Sequence, residues 1–117
     1  MAGFAKSGLF RGFSMTTLTA RSKWQLEGDG YKVAIVEHYN AFTKRKHDLF
    51  GCIDILAIGA GETIAVQVTS KSNMSSRRHK IQDSDAYPEM VRAGWRVQIH
   101  GWFKEGNRWQ CKVEELC

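Results

Sequence analysis

Asp54 stands inside the apolar run "CIDILAIG", and thirteen residues later Gln67, Thr69 and Lys71 recur at every second position of "AVQVTSK". A lone carboxylate among Cys52, Ile53, Ile55 and Leu56 is costly to bury unless it is protonated, paired or bound to a cation. Alternate residues of a strand share a face, so Gln67, Thr69 and Lys71 form one polar row while Val66 and Val68 take the other side. An acid beside such a row has two readings. It is tied by hydrogen bonds to a neighbouring strand or loop, or it holds a hard cation such as Mg²⁺ or Mn²⁺, which needs only one or two carboxylates plus carbonyl and water oxygens. Glu27, Glu37 and Asp48 lie upstream on segments able to converge on the same sheet edge. Asp48, heading "DLFGCID", also reads as an ordinary turn residue.

These side chains need strands to position them. "YKVAIVEHY" is rich in β-branched and aromatic residues and follows a Gly-Asp-Gly break, so it reads as a first strand. "NAFTKRKHD" reads as a basic loop. "CIDILAIG" has the look of a central strand covered on both faces, and a tight turn at "AGE" pairs it with "TIAVQVTS" as an antiparallel hairpin. "KSNMSSRRHK", rich in Ser and basic residues, reads as a second loop. Upstream, Thr16 or Thr17 caps a helix carrying Leu18, Trp24 and Leu26 that ends at "EGDG". Downstream, a helix begins near Asp85 with Pro88 in its first turn and closes at Gly94. "WRVQIHGWF" and "RWQCKVEEL" alternate as two last strands. The expected class is α/β, with a mixed sheet flanked by helices.

The first helix, the strand with Glu37, "GCID", "VQVTSK" and the following helix together resemble the PD-(D/E)XK nuclease superfamily, over roughly residues 16–103. The likeness is to small phage-type, Holliday junction resolvase-like and VRR-NUC-like members, where a Gly-x-x-Asp such as Gly51 and Asp54 precedes the motif strand. It implies a restriction-endonuclease-like αβββαβ core. It also implies a metal-dependent endonuclease acting on DNA, branched or junction DNA included, with Mg²⁺ or Mn²⁺ as cofactor. Carried over, Asp54 is the metal aspartate, Gln67 takes the Asp/Glu position as a neutral oxygen ligand, and Thr69 takes the lysine position. Lys71, two residues further on, supplies the displaced ammonium or simply opens a basic loop, and Lys80 is the alternative lysine. Glu27 at the end of the first helix, or Glu37 on the first strand, completes the metal set. The two departures, Gln67 and Thr69, support an alternative: a catalytically inactive nucleic-acid-binding module on the same fold.

Composition fits these readings. A chain of 117 residues, 43% hydrophobic and 25% charged, matches one globular domain, here residues 15–117 after a loose arm at 1–14 that holds no acid. The net charge of +5 favours polyanionic partners, and two basic runs flank the site: Lys44, Arg45 and Lys46 before "CIDILAIG", and Arg77, Arg78 and Lys80 after "AVQVTSK". Either they hold a phosphate backbone or they are solvated loop charge. The histidines lack metal-ligand spacing, and Trp95, Trp102 and Trp109 read as sheet packing before base stacking. Three cysteines without zinc or redox spacing suggest a reducing compartment, the cytoplasm, and no apolar run suggests a membrane span. Pairing of two copies is the expected way for one small nuclease to address two strands.

Overall fold

The computed structural model describes residues 17–117; the N-terminal arm expected over 1–14 lies outside the described residues. Helix α1 is Leu18–Gly28, opened by Thr17, whose hydroxyl accepts from Ala20 N at 3.1 Å. Strand β1 (Lys32–Ile35) follows, and then a short hairpin of β2 (His38–Asn40) and β3 (Arg45–His47). Strands β4 (Ile55–Gly59) and β5 (Glu62–Ser70) lead into a single 3₁₀ turn, Lys71–Asn73. Helices α2 (Met74–Gln82) and α3 (Tyr87–Arg92) precede β6 (Arg96–Glu105) and β7 (Arg108–Glu115).

Five strands form one mixed sheet in the order β1-β4-β5-β6-β7, in which only β5 and β6 run parallel. The parallel pair is the product of a helical crossover, because parallel neighbours cannot be joined by a tight turn. β4 and β5 are joined by such a turn: Ala60 and Gly61 both have positive φ, 53° and 77°, as a primed hairpin turn requires. The α/β class and the mixed sheet expected from the sequence are therefore present.

The two sheet faces build separate cores. α1 lays Leu26 on Ile55, Ile64, Val66, Val68 and Trp102, while α2 and α3 lay Met74, Ile81 and Met90 on Ala65, Val97 and Ile99. Among the described residues no helix is long and apolar enough to cross a membrane.

Three local expectations need correction. "KSNMSSRRHK" is a turn and a helix, not a loop. Its apolar anchors are only Met74 and Ile81, too sparse for a periodic signal, and Met74 is seated against Gly101, where a side-chain β-carbon would collide with its sulfur. "NAFTKRKHD" is likewise not a loop: it supplies the turn and second strand of the β2–β3 hairpin. Finally, "YKVAIVEHY" is not one strand, because β1 ends at Ile35 and Val36 and Glu37 separate it from β2.

Candidate metal centre

The candidate centre begins where the β4–β5 ladder opens. Its last backbone bond is from Asp54 N to Val66 O at 2.9 Å, while the next carbonyl, Ile53 O, instead accepts from Leu49 N at 2.9 Å. The following donor on β5, Val68 N, is taken by the side chain of Asp54, whose Oδ2 accepts it at 2.8 Å. Gln67 Nε2 donates to the same oxygen. Asp54 is 3% exposed and Gln67 is 0% exposed, so this contact is shielded from water. The aspartate and the glutamine are side by side as the sequence suggested, but Asp54 lies just before β4, which begins at Ile55, not within it.

Two further acids join them. Glu37 ends the segment after β1, Asp48 follows β3, and one carboxylate oxygen each of Glu37, Asp48 and Asp54 lies within 4.8 Å of the others. The hairpin makes this possible, since its first register pair is His38↔His47 and the residues just outside that pair are Glu37 and Asp48. Each of these two acids has a lysine partner: Lys46 Nζ is 3.0 Å from Glu37 Oε1 and Lys80 Nζ is 3.2 Å from Asp48 Oδ2.

Burial pushes the Asp54 carboxyl up to about 7; the Val68 N–H opposes that rise, and the charges of Asp48 and Glu37 reinforce it. One oxygen of the site remains unsatisfied: Gln67 Oε1 is buried with no hydrogen-bond partner, whereas Glu37 Oε1 has the Lys46 ammonium at 3.0 Å. Native proteins rarely leave buried polar atoms unpaired, and those that remain call for an explanation.

The other expected residues fall in several places. Thr69 is buried one step along the same face, level with Gly101 of β6. Lys71 lies past the end of β5 in the 3₁₀ turn, so strand periodicity no longer governs it, and its ammonium rests 4.4 Å from the centre of the Phe103 ring. Glu27 is on α1, paired with Lys23 at 2.9 Å, and is not among the clustered acids. Of the basic residues, Arg78 forms a two-pronged pair with Glu114 (2.6 and 2.8 Å). Lys44 and Arg45 are exposed on the hairpin and Arg77 is half-buried on α2. Asp48 is the residue whose place in the cluster the sequence left open. The signal for it was the pairing of "HYN" with "RKH", which brings the acids on either side together.

On the opposite face lies a second buried polar group. Trp102 Nε1 donates to Ser22 Oγ (2.9 Å), which meets His100 Nδ1 at 2.8 Å; His100 Nε2 meets Gln98 Oε1 at 3.1 Å, and Gln98 Nε2 donates to Glu115 at 2.9 Å. Glu115 accepts only, so Gln98 must present its oxygen to His100 and the neutral ring carries its proton on Nε2. Ser22 is then the donor to Nδ1. Burial lowers the His100 pKa to about 4, against a smaller opposing pull from Glu115.

Compared with known proteins, the chain matches no protein-family model, no curated protein and no solved structure.

Proposed function

We propose that the protein is a metal-dependent endonuclease of the PD-(D/E)XK type that hydrolyses phosphodiester bonds in DNA. One observation carries this reading: buried Asp54, in contact with Gln67, brings a carboxylate oxygen within 4.8 Å of one each from Glu37 and Asp48. The donor set suits a hard divalent cation, which takes carboxylate and amide oxygens. Asp54, Asp48 and Glu37 would hold Mg²⁺ or Mn²⁺, and Gln67 would contribute its neutral oxygen once its amide is reversed. A bound ion supplies charge neutralisation at the phosphate and a more acidic water.

The chain's own residues then divide the work. Asp54 is the anchor, and a carboxyl poised near neutrality exchanges a proton for a cation easily. Lys80 sits beside Asp48 and is better placed than Lys71 to steady the attacked phosphate, because the Lys71 ammonium is turned onto Phe103. Thr69 adds a hydroxyl on the same row. The order of helix, three antiparallel strands, helix and parallel strand supports the αβββαβ reading.

Incubation with single-stranded, duplex and branched DNA, each with Mg²⁺, Mn²⁺ or chelator, tests the proposal. Metal-dependent cleavage that Asp54→Asn removes supports it; cleavage unchanged in Asp54→Asn places the chemistry elsewhere.

A second reading has its own support. Lys46 and Lys80 already neutralise Glu37 and Asp48, and Thr69 stands where the nuclease motif has lysine. A nucleic-acid-binding module without catalysis would bind these DNAs in chelator and cut none of them with either metal.

A further inference from the structure

The acids of the candidate centre stand at the foot of a projection. Glu37 and Asp48 border the β2–β3 hairpin, whose register pairs are His38↔His47, Tyr39↔Lys46 and Asn40↔Arg45. At the apex Asn40 Oδ1 accepts from Phe42 N at 2.9 Å and from Thr43 N at 3.2 Å, and Lys44 takes a left-handed φ of 59°. The turn is thus ordered by its own side chain. Phe42 is nevertheless 99% exposed and Tyr39 is 60% exposed. Residues 38–47 include Lys44, Arg45 and Lys46 and no acid.

A scattered surface aromatic needs no explanation. Here the ring crowns an ordered two-stranded ribbon with cationic flanks, and the ribbon is rooted in the acid cluster. Apolar wedges such as Phe part base steps from the minor groove, and lysine and arginine take the adjacent phosphates. An apolar protein partner would leave the row of cations without a purpose.

We infer that the β2–β3 hairpin is a nucleic-acid arm: Phe42 stacks on a base at an unpaired or weakened step of a duplex, while Lys44 and Arg45 hold the neighbouring phosphates. The inference rests on the nuclease reading for what happens at the arm's foot. It also bounds a spacing. From Glu37 to Phe42 is five residues, at most about 16 Å at the rise of a strand and less where the chain folds into the turn after Asn40, so cleavage falls within about five nucleotides of the base that Phe42 contacts.

The test uses the full chain and an oligonucleotide duplex with one 2-aminopurine at a mismatch or branch point. In chelator, wild type and Asp54→Asn both raise its fluorescence on binding, because the base is displaced from its neighbours. Phe42→Ala abolishes that rise and binds about tenfold more weakly, the scale of one base–aromatic contact. Phe42 has almost no contacts to lose, so the fold is unaffected, which a circular dichroism melt checks. With Mg²⁺ the cut maps within about five nucleotides of the probe. Unchanged affinity and fluorescence in Phe42→Ala, or no binding of any oligonucleotide by wild type, overturns the arm. Binding with the fluorescence rise but no cleavage in Mg²⁺ or Mn²⁺ leaves the arm standing and sinks the nuclease reading alone.

Discussion

The two faces of the sheet each bury a polar group, and they treat it differently. Beneath α1, Trp102, Ser22, His100, Gln98 and Glu115 form a chain in which each donor meets an acceptor. On the other face, Asp54 is crowded by two more acids and the Gln67 amide oxygen goes without a hydrogen bond; on the α1 side the one such atom among the described residues, Arg21 Nε, lies outside the polar chain. Neither group is apolar enough to be packing alone. A satisfied network stiffens and specifies a core, whereas an unsatisfied one lowers stability and persists where a ligand completes it. Under the proposed function, the first face is structural and the second is the site.

The comparison breaks most readily at Asp54. Asp54→Asn is expected to reduce metal-dependent cleavage to background while the melting temperature at pH 8 holds or rises, since a buried charge is removed; a large loss of stability there would make the acid a structural residue. Next in size, His100→Ala should cost about 3 kcal/mol in urea unfolding, because it opens a cavity and strands the partners of both ring nitrogens. Ser22→Ala should cost less, about 1–2 kcal/mol, through the lost acceptor for Trp102.

Stability against pH sharpens the same contrast, with opposite slopes from the two faces. The unfolded value for Asp54 is 3.8 and the folded value about 7, so the native state binds the extra proton. Its contribution is full below 3.8 and is lost as pH rises through about 7. For His100 the unfolded value is 6.5 and the folded value about 4. Its contribution is present above 6.5 and is lost as pH falls through about 4. Chemical denaturation from pH 4 to 8 should show the alkaline limb flattened in Asp54→Asn and the acid limb retained. The smallest expected effect is a rise of a few degrees in melting temperature with millimolar Mn²⁺, larger at pH 8 than at pH 5.5 because protons compete for the same carboxylates. Equal shifts at both values would argue against Asp54 as a ligand.

Much of this was legible in the residues, for reasons that can be named. The β4–β5 hairpin was marked by two apolar runs around "AGE", and that register alone set Gln67 beside Asp54. Pro88 and Gly94 marked α3, whose range is Tyr87–Arg92. Helix α2 was hidden because its stability rests on tertiary contacts, Met74 in the hollow left by Gly101, and not on an amphipathic repeat. Asp48 was undervalued for a related reason. Its neighbourhood depends on a short hairpin of polar residues, and polar pairs such as Tyr39↔Lys46 carry little periodic signal. Lys71 followed strand arithmetic only as far as the strand went, to Ser70.

Lys46 and Lys80 give the acidic cluster a resting state of its own. Each ammonium occupies the electrostatic role of an ion without filling its coordination shell, so the carboxylates are kept from repelling one another when divalent metal is scarce. Under the proposed function, loading would be an exchange of counter-charges, and a phosphate backbone drawn along the hairpin would offer Lys46 somewhere else to go. Substrate arrival and metal capture would then be coupled through that single side chain, leaving the idle protein reluctant to collect stray cations.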